Sequence, residues 1–242
     1  MQNMLVERLL SNYGGRSVGY KIACTSKSAQ EFINLNEPFY GQLLSSLVHK
    51  SPAIMDADDF FMRVIEPEFA FEMMDDLPGR GTPYDRETVA TAVGAVLPAV
   101  EIVDSRYTEW TAVDGPSLIA DNGCNGAWVQ GEPHLDWKAQ DLTAHEVALV
   151  VNGQTVRKGR GDAIMGHPLN ALTWLANMLC KHASGLKAGD LISTGTCTDI
   201  YLADAGDTIC ADFGPLGTVE LVFEGSKGSK RGEGNPAPAL LR

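Results

Sequence analysis

Apolar residues recur with helical spacing in two stretches of the chain. Between residues 2 and 12, Met4, Leu5, Leu9 and Leu10 share one helical face, and Gly14-Gly15 follows, which predicts a short N-terminal helix. In GHPLNALTWLANMLCKHASG, residues 166–185, a proline sits near the first turn, Leu169, Leu172, Leu175, Ala176 and Leu179 form one stripe, and Gly185 follows basic residues. This predicts a longer, firmly bounded helix. Residues 26–35 also read as a short helix, and the polar stretch from Tyr84 to Ala92 is compatible with one.

Elsewhere the pattern alternates or runs continuously apolar, as strands do. SVGYKIA (17–23), FMRVIEPEFAFEM (61–73), GAVLPAVEIVD (94–104), LISTGT (191–196), DTICADF (207–213) and TVELVFE (218–224) are predicted strands. HEVALVVNGQTVRKG alternates around Asn152-Gly153, a strong hairpin signal, and Gly214 to Gly217 join the last two strands as a second hairpin. NEPFYG (36–41) and AVDGPSLIADNGCNGAW (112–128) are rich in turn-forming residues and read as loops. Many strands, few helices and no regular βαβ alternation predict a mixed α+β fold dominated by a rolled or sandwiched sheet with peripheral helices. Residues 1–224 are expected to form one catalytic domain. The closing residues 225–242, rich in Gly, Ser, Lys and Pro, are expected to be a flexible tail that is mobile or lies on a neighbouring subunit.

Composition narrows the choice of partners. A net charge of −12 with no Lys/Arg stripe argues against nucleic acid and requires local cations or a metal wherever a small anionic substrate binds. The 5 cysteines are scattered without a CxxC pair, which fits a reducing compartment. No apolar run approaches the roughly 20 residues of a membrane span, and MQNMLVERLL lacks the features of a signal peptide, so a cytoplasmic location is expected.

Charge inside apolar strands marks the candidate chemistry. Glu66 and Glu68 are separated by one residue in a strand and so share a face, with Cβ atoms roughly 7 Å apart. Glu101 interrupts the apolar run VLPAVEIV, where a lone buried carboxylate costs several kcal/mol or takes up a proton. Shared ligation of one hard ion, Mg²⁺ or Mn²⁺, resolves both interruptions. The alternative puts Glu66 and Glu68 on the solvated face of an edge strand and pairs Glu101 with Arg63 or Arg106. Lys21 likewise interrupts an apolar strand. His167 reads as a capping or packing residue, His145 and His182 as surface or helix-terminal residues, and Trp110, Trp128, Trp137 and Trp174 as core anchors. Cys124 and Cys197 lack a base partner and are not proposed as nucleophiles. Ser193 and Thr196 flank a glycine where backbone N–H groups can face a carboxylate, and Asp121-Asn122 either orient a ligand oxygen or stabilise their own loop.

VGYKIACTS, NEPFYGQL, IEPEFAF, VLPAVEIVDSRY, IADNGCNGAWV, GRGDAIMGHPLNALTWLANML, LKAGDLISTGTCT and GDTICADFGPLGTVELVF follow one another over residues 17–223. In that order they resemble the fumarylacetoacetate hydrolase superfamily, in particular its 2-keto-4-pentenoate hydratase and 4-oxalocrotonate decarboxylase branch. The resemblance implies the β-roll or sandwich of that family, Glu66, Glu68 and Glu101 as metal ligands, Lys21 as the active-site lysine, and Tyr40, Asp121, Asn122, Gly195 and Thr196 as substrate contacts. It also implies a shortened N-terminal part, an Asn36 where many hydratases carry Asp, and a Cys197 where they carry a small apolar residue.

The implied activity is metal-dependent hydration of 2-hydroxypenta-2,4-dienoate or a substituted analogue in aromatic catabolism. Decarboxylation of 2-oxo-hex-3-enedioate is the second option, and C–C hydrolysis of an acylpyruvate or a noncatalytic partner role comes behind. The hydrolases of the family usually carry a His/Glu pair in a short N-terminal helix, and no such pair precedes Lys21. A homo-oligomer, with the option of a hydratase–decarboxylase complex, is the expected assembly. Burial and a neighbouring cation are expected to lower the pKa of Lys21.

Overall fold

A computed structural model describes residues 1–182 and 185–225. Its strands are β1 (Ser17–Ala23), β2 (Phe39–Leu44), β3 (Val48–Lys50), β4 (Ala53–Asp56), β5 (Val64–Met73), β6 (Val93–Val103), β7 (Asn125–Gln130), β8 (Glu146–Val151), β9 (Gln154–Arg160), β10 (Leu191–Thr196), β11 (Tyr201–Leu202), β12 (Thr208–Asp212) and β13 (Thr218–Glu224). The α-helices are α1 (Gln2–Tyr13), α2 (Lys27–Phe32), α3 (Arg86–Thr91), α4 (Gly115–Ala120) and α5 (Pro168–His182). Beyond Gly225, the expectation for the closing stretch lies outside the described residues.

Two sheets share the strands. The larger, 8-stranded sheet runs β2-β1-β10-β5-β6-β7-β3 with β11 also on β5, and the 5-stranded sheet runs β4-β13-β12-β8-β9. β5 and β6 pair antiparallel along their whole length at the centre of the larger sheet. One face of that pair contributes Ile65, Phe69, Phe71, Val96, Val100 and Ile102 to the main core, together with the Leu172, Leu175 and Leu179 stripe of α5 and with Ile209, Phe213, Val219 and Leu221 of the second sheet and its turn. The α+β architecture expected from the alternating pattern is therefore present.

The hairpin at Asn152-Gly153 forms as expected, with positive φ at both residues (51° and 78°) joining β8 to β9. Tertiary contacts override the local reading in four places. The predicted loop at 36–41 becomes the start of β2, because residues 39–44 complete the backbone hydrogen bonding of β1. The predicted loop at 112–128 holds α4, whose N-cap Asp114 accepts from the Ser117 N–H at 2.9 Å, and then β7, which pairs with β6. The predicted helix at 26–35 stops at Phe32, with Asn34 at φ 53°. Finally, α1 buries Val6 and Leu9 rather than a face that includes Met4, which is 71% exposed.

β10 does not follow β5 to its end. It pairs as far as Ser193↔Ala70, shifts register, and makes one further pairing at Thr196↔Glu68; β11 resumes the ladder at Tyr201↔Ile65. Pro67, which has no N–H to donate, lies at this interruption, while its carbonyl accepts the Cys197 N–H at 2.9 Å. The irregularity opens the sheet beside Glu66.

Candidate active site

The register of β5 and β6 sets Glu66 directly opposite Glu101, and antiparallel partners project to the same face; Glu68 lies on that face two residues along. One carboxylate oxygen from each of the three lies within 4.8 Å of the others. Glu68 and Glu101 are fully buried and Glu66 half-buried. The edge-strand alternative therefore fails: Arg106 pairs with Asp121 at 3.1 Å, and the buried Arg63 donates to the carbonyls of Ala57 and Ala203.

Lys21 is the cation that Glu101 takes instead. On β1 it stands in register with Ser193, and its Nζ reaches Glu101 Oε1 at 2.9 Å and Oε2 at 3.0 Å. Gly123, at φ +65°, is what leaves room for this lysine, because a Cβ there would approach Lys21 Cε to 2.7 Å. Asn125 Nδ2 donates to Glu101 Oε1 at 2.9 Å. Glu68 Oε2 accepts from the Gly195 N–H at 3.0 Å and from the Ser193 hydroxyl, whose oxygen accepts in turn from Trp128 Nε1 at 2.8 Å. The carboxylate faced by the N–H after β10's bulge is thus the protein's own Glu68.

Charge and hydrogen bonding together leave the cluster short of one cation. Three carboxylates face a single ammonium, and Glu68 Oε1 and Asn125 Oδ1 are buried with no hydrogen-bond partner. Burial, and then the nearby Glu101, push Glu66 up to about 7 against the pull of Lys21. Burial, Glu101 and Glu66 likewise hold Glu68 well above the usual carboxylate range in spite of the Ser193 hydrogen bond. For Lys21, burial works against the charged form, but Glu101, Glu66 and Glu68 outweigh it and raise the pKa above its ordinary value. Burial lowers the lysine pKa as expected, but without a metal ion the three carboxylates outweigh it. An all-oxygen donor set with an unpartnered buried carboxylate oxygen fits a hard divalent ion.

Beside the cluster lies a cavity of about 200 Å³. On the sheet side it is lined by Lys21, Glu66, Gly195 and Thr196, so two of the expected substrate contacts meet the metal-type cluster there. Gly195 is held at φ +94°, and a side chain there would run into Thr25. The other three expected contacts have different partners. Asn122 pairs with the backbone of Gln42, accepting at 2.8 Å and donating at 2.9 Å, and Asp121 is engaged by Arg106. Tyr40 stacks edge-on against Tyr20 and lines a separate cavity with Gln2, Leu35 and Trp174.

The remaining candidates settle into packing roles. His167 Nδ1 accepts the Leu169 N–H at 3.0 Å and so caps the start of α5. A ring nitrogen of His145 lies 2.6 Å from the Phe213 carbonyl, and His182 is the last residue of α5. Cys24 and Cys124 line the cavity with thiols that burial pushes up to about 12, so neither supplies a thiolate near neutral pH. The buried Cys197 thiol donates to the Pro67 carbonyl at 3.1 Å. Trp128 and Trp137 are core anchors as expected, and Trp174 packs against the main core while also lining the second cavity, whereas Trp110 lines the first. Asn125 and the Trp128–Ser193 pair were not identified as supports of the glutamates. Their one local signal is polar residues beside buried strand segments.

Residues 23–223 match the family described as Fumarylacetoacetate (FAA) hydrolase C-terminal. The chain is 35% identical over 218 residues to 2-hydroxyhexa-2,4-dienoate hydratase of Comamonas testosteroni, covering 89% of this chain and 81% of that one. It is 30% identical over 218 residues to 4-oxalocrotonate decarboxylase of Pseudomonas putida, covering 90% and 81%. Among solved structures, 4-oxalocrotonate decarboxylase from Pseudomonas putida G7, complexed with magnesium and adipate, superimposes with a TM-score of 0.85 at 29% identity, over 92% of this chain and 83% of that one.

Proposed function

The chain belongs to the fumarylacetoacetate hydrolase family, and from that premise we propose that it is a divalent-metal-dependent hydro-lyase, hydrating 2-hydroxypenta-2,4-dienoate or a substituted analogue to a 4-hydroxy-2-oxo acid. The observation that carries the proposal is the convergence of Glu66, Glu68, Glu101 and Lys21 on one face of the sheet, beside a cavity large enough for a small acid. Glu66, Glu68 and Glu101 would hold Mg²⁺ or Mn²⁺, which when bound would supply Lewis-acid polarisation of the substrate's oxo acid end.

The protein's own groups do the rest. Lys21, ion-paired with Glu101, is placed to neutralise charge that develops at the C2 end of the substrate. The Gly195–Thr196 turn lines the cavity beside Glu66 and orients the substrate's carboxylate end. Asp121 and Asn122 act at one remove, fixing the loop that carries Gly123 and Cys124 against Lys21. Overall, C5 gains a proton as the C2 hydroxyl becomes a ketone; water then adds its oxygen to C4 and a proton to C3.

Hydration is favoured over decarboxylation by the charge of the lining. Among the described residues around the cavity, Lys21 is the one Lys or Arg, and it is engaged by Glu101. A second substrate carboxylate would meet no free cation among the described residues of the lining. We place the enzyme in the cytoplasm as a homo-oligomer able to join a hydratase–decarboxylase complex, with residues 1–224 as its catalytic domain. Free cysteines support the location, and exposed Met4, Tyr13 and Phe61 support self-association.

The test follows ultraviolet loss of freshly generated 2-hydroxypenta-2,4-dienoate with Mg²⁺ or Mn²⁺, beside 2-oxo-hex-3-enedioate, for the native chain and Glu68→Gln. Metal-dependent consumption of the dienoate is expected, reduced about a thousandfold or more in the variant. CO₂ release from the diacid alone would make the protein a decarboxylase, and turnover of neither would refute both activities.

A further inference from the structure

The helix-side wall of the cavity differs from its sheet side. Phe32 and Ile33 at the end of α2, Phe39 of β2, Trp110, Leu118 of α4 and Ile200 form the apolar part of the lining of the cavity that Glu66 and Lys21 also line. Phe39, Leu118 and Cys124, with Ile33 and Val103 against them, make up an apolar cluster separate from the main core. Phe32 and Trp110 meet edge to face with ring centroids 6.1 Å apart, yet both remain partly exposed, Phe32 at 37%. An aromatic pair left open over a cavity is surface that an apolar ligand would cover.

Polar groups on this side offer little to a second charge. The Ser26 hydroxyl accepts the Ala29 N–H and bonds to Ser28, and Thr198 donates to the Asp199 carbonyl. Apart from Lys21, the charged residues of the lining are Glu66 and Asp199, both acidic. A substrate anchored by its carboxylate at the sheet side therefore directs its far end toward aromatic and aliphatic carbon, with a like charge at the rim.

We propose that the wall built around Phe32 and Trp110 is a specificity site, selecting 2-oxo or 2-hydroxy-dienoic acids with an uncharged alkyl tail and rejecting those ending in a second carboxylate. This rests on the anchoring assigned under the hydratase proposal and goes further by naming the substrate class. Both aromatic residues serve to bind the tail rather than to take part in the reaction.

The experiment separates binding from turnover. Calorimetry on the Mn²⁺-loaded native protein measures affinity for the non-reacting acids 2-oxopentanoate, 2-oxohexanoate, 2-oxooctanoate and 2-oxohexanedioate. Affinity is expected to rise about fourfold per methylene along the first three and to fall about tenfold or more when a terminal carboxylate replaces the methyl group. In Phe32→Ala and Trp110→Ala the gain per methylene should shrink below about twofold, and Phe32→Arg should move the ranking toward the diacid. A flat series, a native preference for the diacid, or variants that keep the full gain per methylene would overturn the specificity site. Because the probes do not react, a protein that ranks them as expected but turns over no dienoate would sink the hydratase activity and leave the specificity site standing.

Discussion

The two faces of the β5–β6 ladder are built from alternate residues of the same strands, and both are deeply buried. On one, Ile65, Phe69, Phe71, Val100 and Ile102 are all 0% exposed and need nothing beyond each other and the helix and sheet packed on them. On the other, Glu66, Glu68 and Glu101 share the interior with Lys21, and Glu68 Oε1 has no partner. The first face stabilises the fold; the second is stabilised by it, through Ser193, Gly195, Asn125 and Lys21. Removing atoms from the two faces should therefore have opposite signatures.

The largest effect on stability is expected on the core face. Phe69 packs edge-on against Phe213 at 5.3 Å and against the His145 ring at 5.5 Å. Phe69→Ala leaves a cavity and should cost about 3–5 kcal/mol in urea denaturation, while the folded fraction keeps its metal affinity. Its neighbour Glu68→Gln replaces a carboxyl whose ionised form burial disfavours, and the metal-free protein should be no less stable for it. If both substitutions lowered metal-free stability alike, the division between the faces would collapse.

That division was partly legible in the sequence because a strand's period of two makes Glu66 and Glu68 co-facial without knowledge of any neighbour. The long helix and the Asn152-Gly153 hairpin were legible for the same local reason: their signals lie within a few residues of the element they specify. What escaped was long-range. Residues 39–44 and 125–130 carry turn-forming residues and become strands because β1 and β6 need partners. The Lys21–Glu101 pair spans 80 positions and the Trp128–Ser193 hydrogen bond 65, so no spacing rule could supply either. The glycine beside Ser193 and Thr196 suggested backbone N–H groups facing a carboxylate, but that the Gly195 N–H meets Glu68 follows only from the bulge in β10. The partners of Tyr40, Asp121 and Asn122 depend on how loops close over β2 and around Arg106, which composition does not encode.

A second effect, on the order of 3 kcal/mol, concerns pH and only the acidic face. Glu66 in the fold has a pKa of about 7, above the ordinary 4.5 of a glutamate. A carboxyl raised on folding favours the fold while protonated, so its contribution is complete below about pH 4.5 and is lost as pH rises through about 7. Glu68 is raised as well and acts with the same sign. Denaturation with a chelator present should show stability falling across this window. Asp104, which burial raises to about 6, contributes in the same direction with or without metal. The difference between chelated and Mn²⁺-loaded protein isolates the glutamates, and it should widen from pH 5 to pH 8, since the ion binds the deprotonated carboxylates. Parallel profiles would mean that the three carboxylates do not form a metal centre.

The smallest of the three effects probes how the acidic face is held in place. Ser193 accepts from Trp128 Nε1 and donates to Glu68 Oε2, which the Gly195 N–H also engages, so this oxygen is fixed and Oε1 is the atom left to face Glu66 and Glu101. Ser193→Ala removes one of two donors to Oε2 and leaves the buried Trp128 N–H unpaired, but it takes away no ligand. Support of this kind is worth about 10- to 100-fold in metal affinity. The expected result is a loss in that range for Mn²⁺, read from the paramagnetic signal of free ion, while Trp128→Phe, which spares the Ser193–Glu68 hydrogen bond, loses less. Ser193→Thr keeps the hydroxyl and should restore most of the affinity. Were Ser193→Ala to bind Mn²⁺ as tightly as the native chain, the Gly195 N–H alone would be orienting Glu68, and the acidic face would depend on backbone geometry rather than on a side-chain relay.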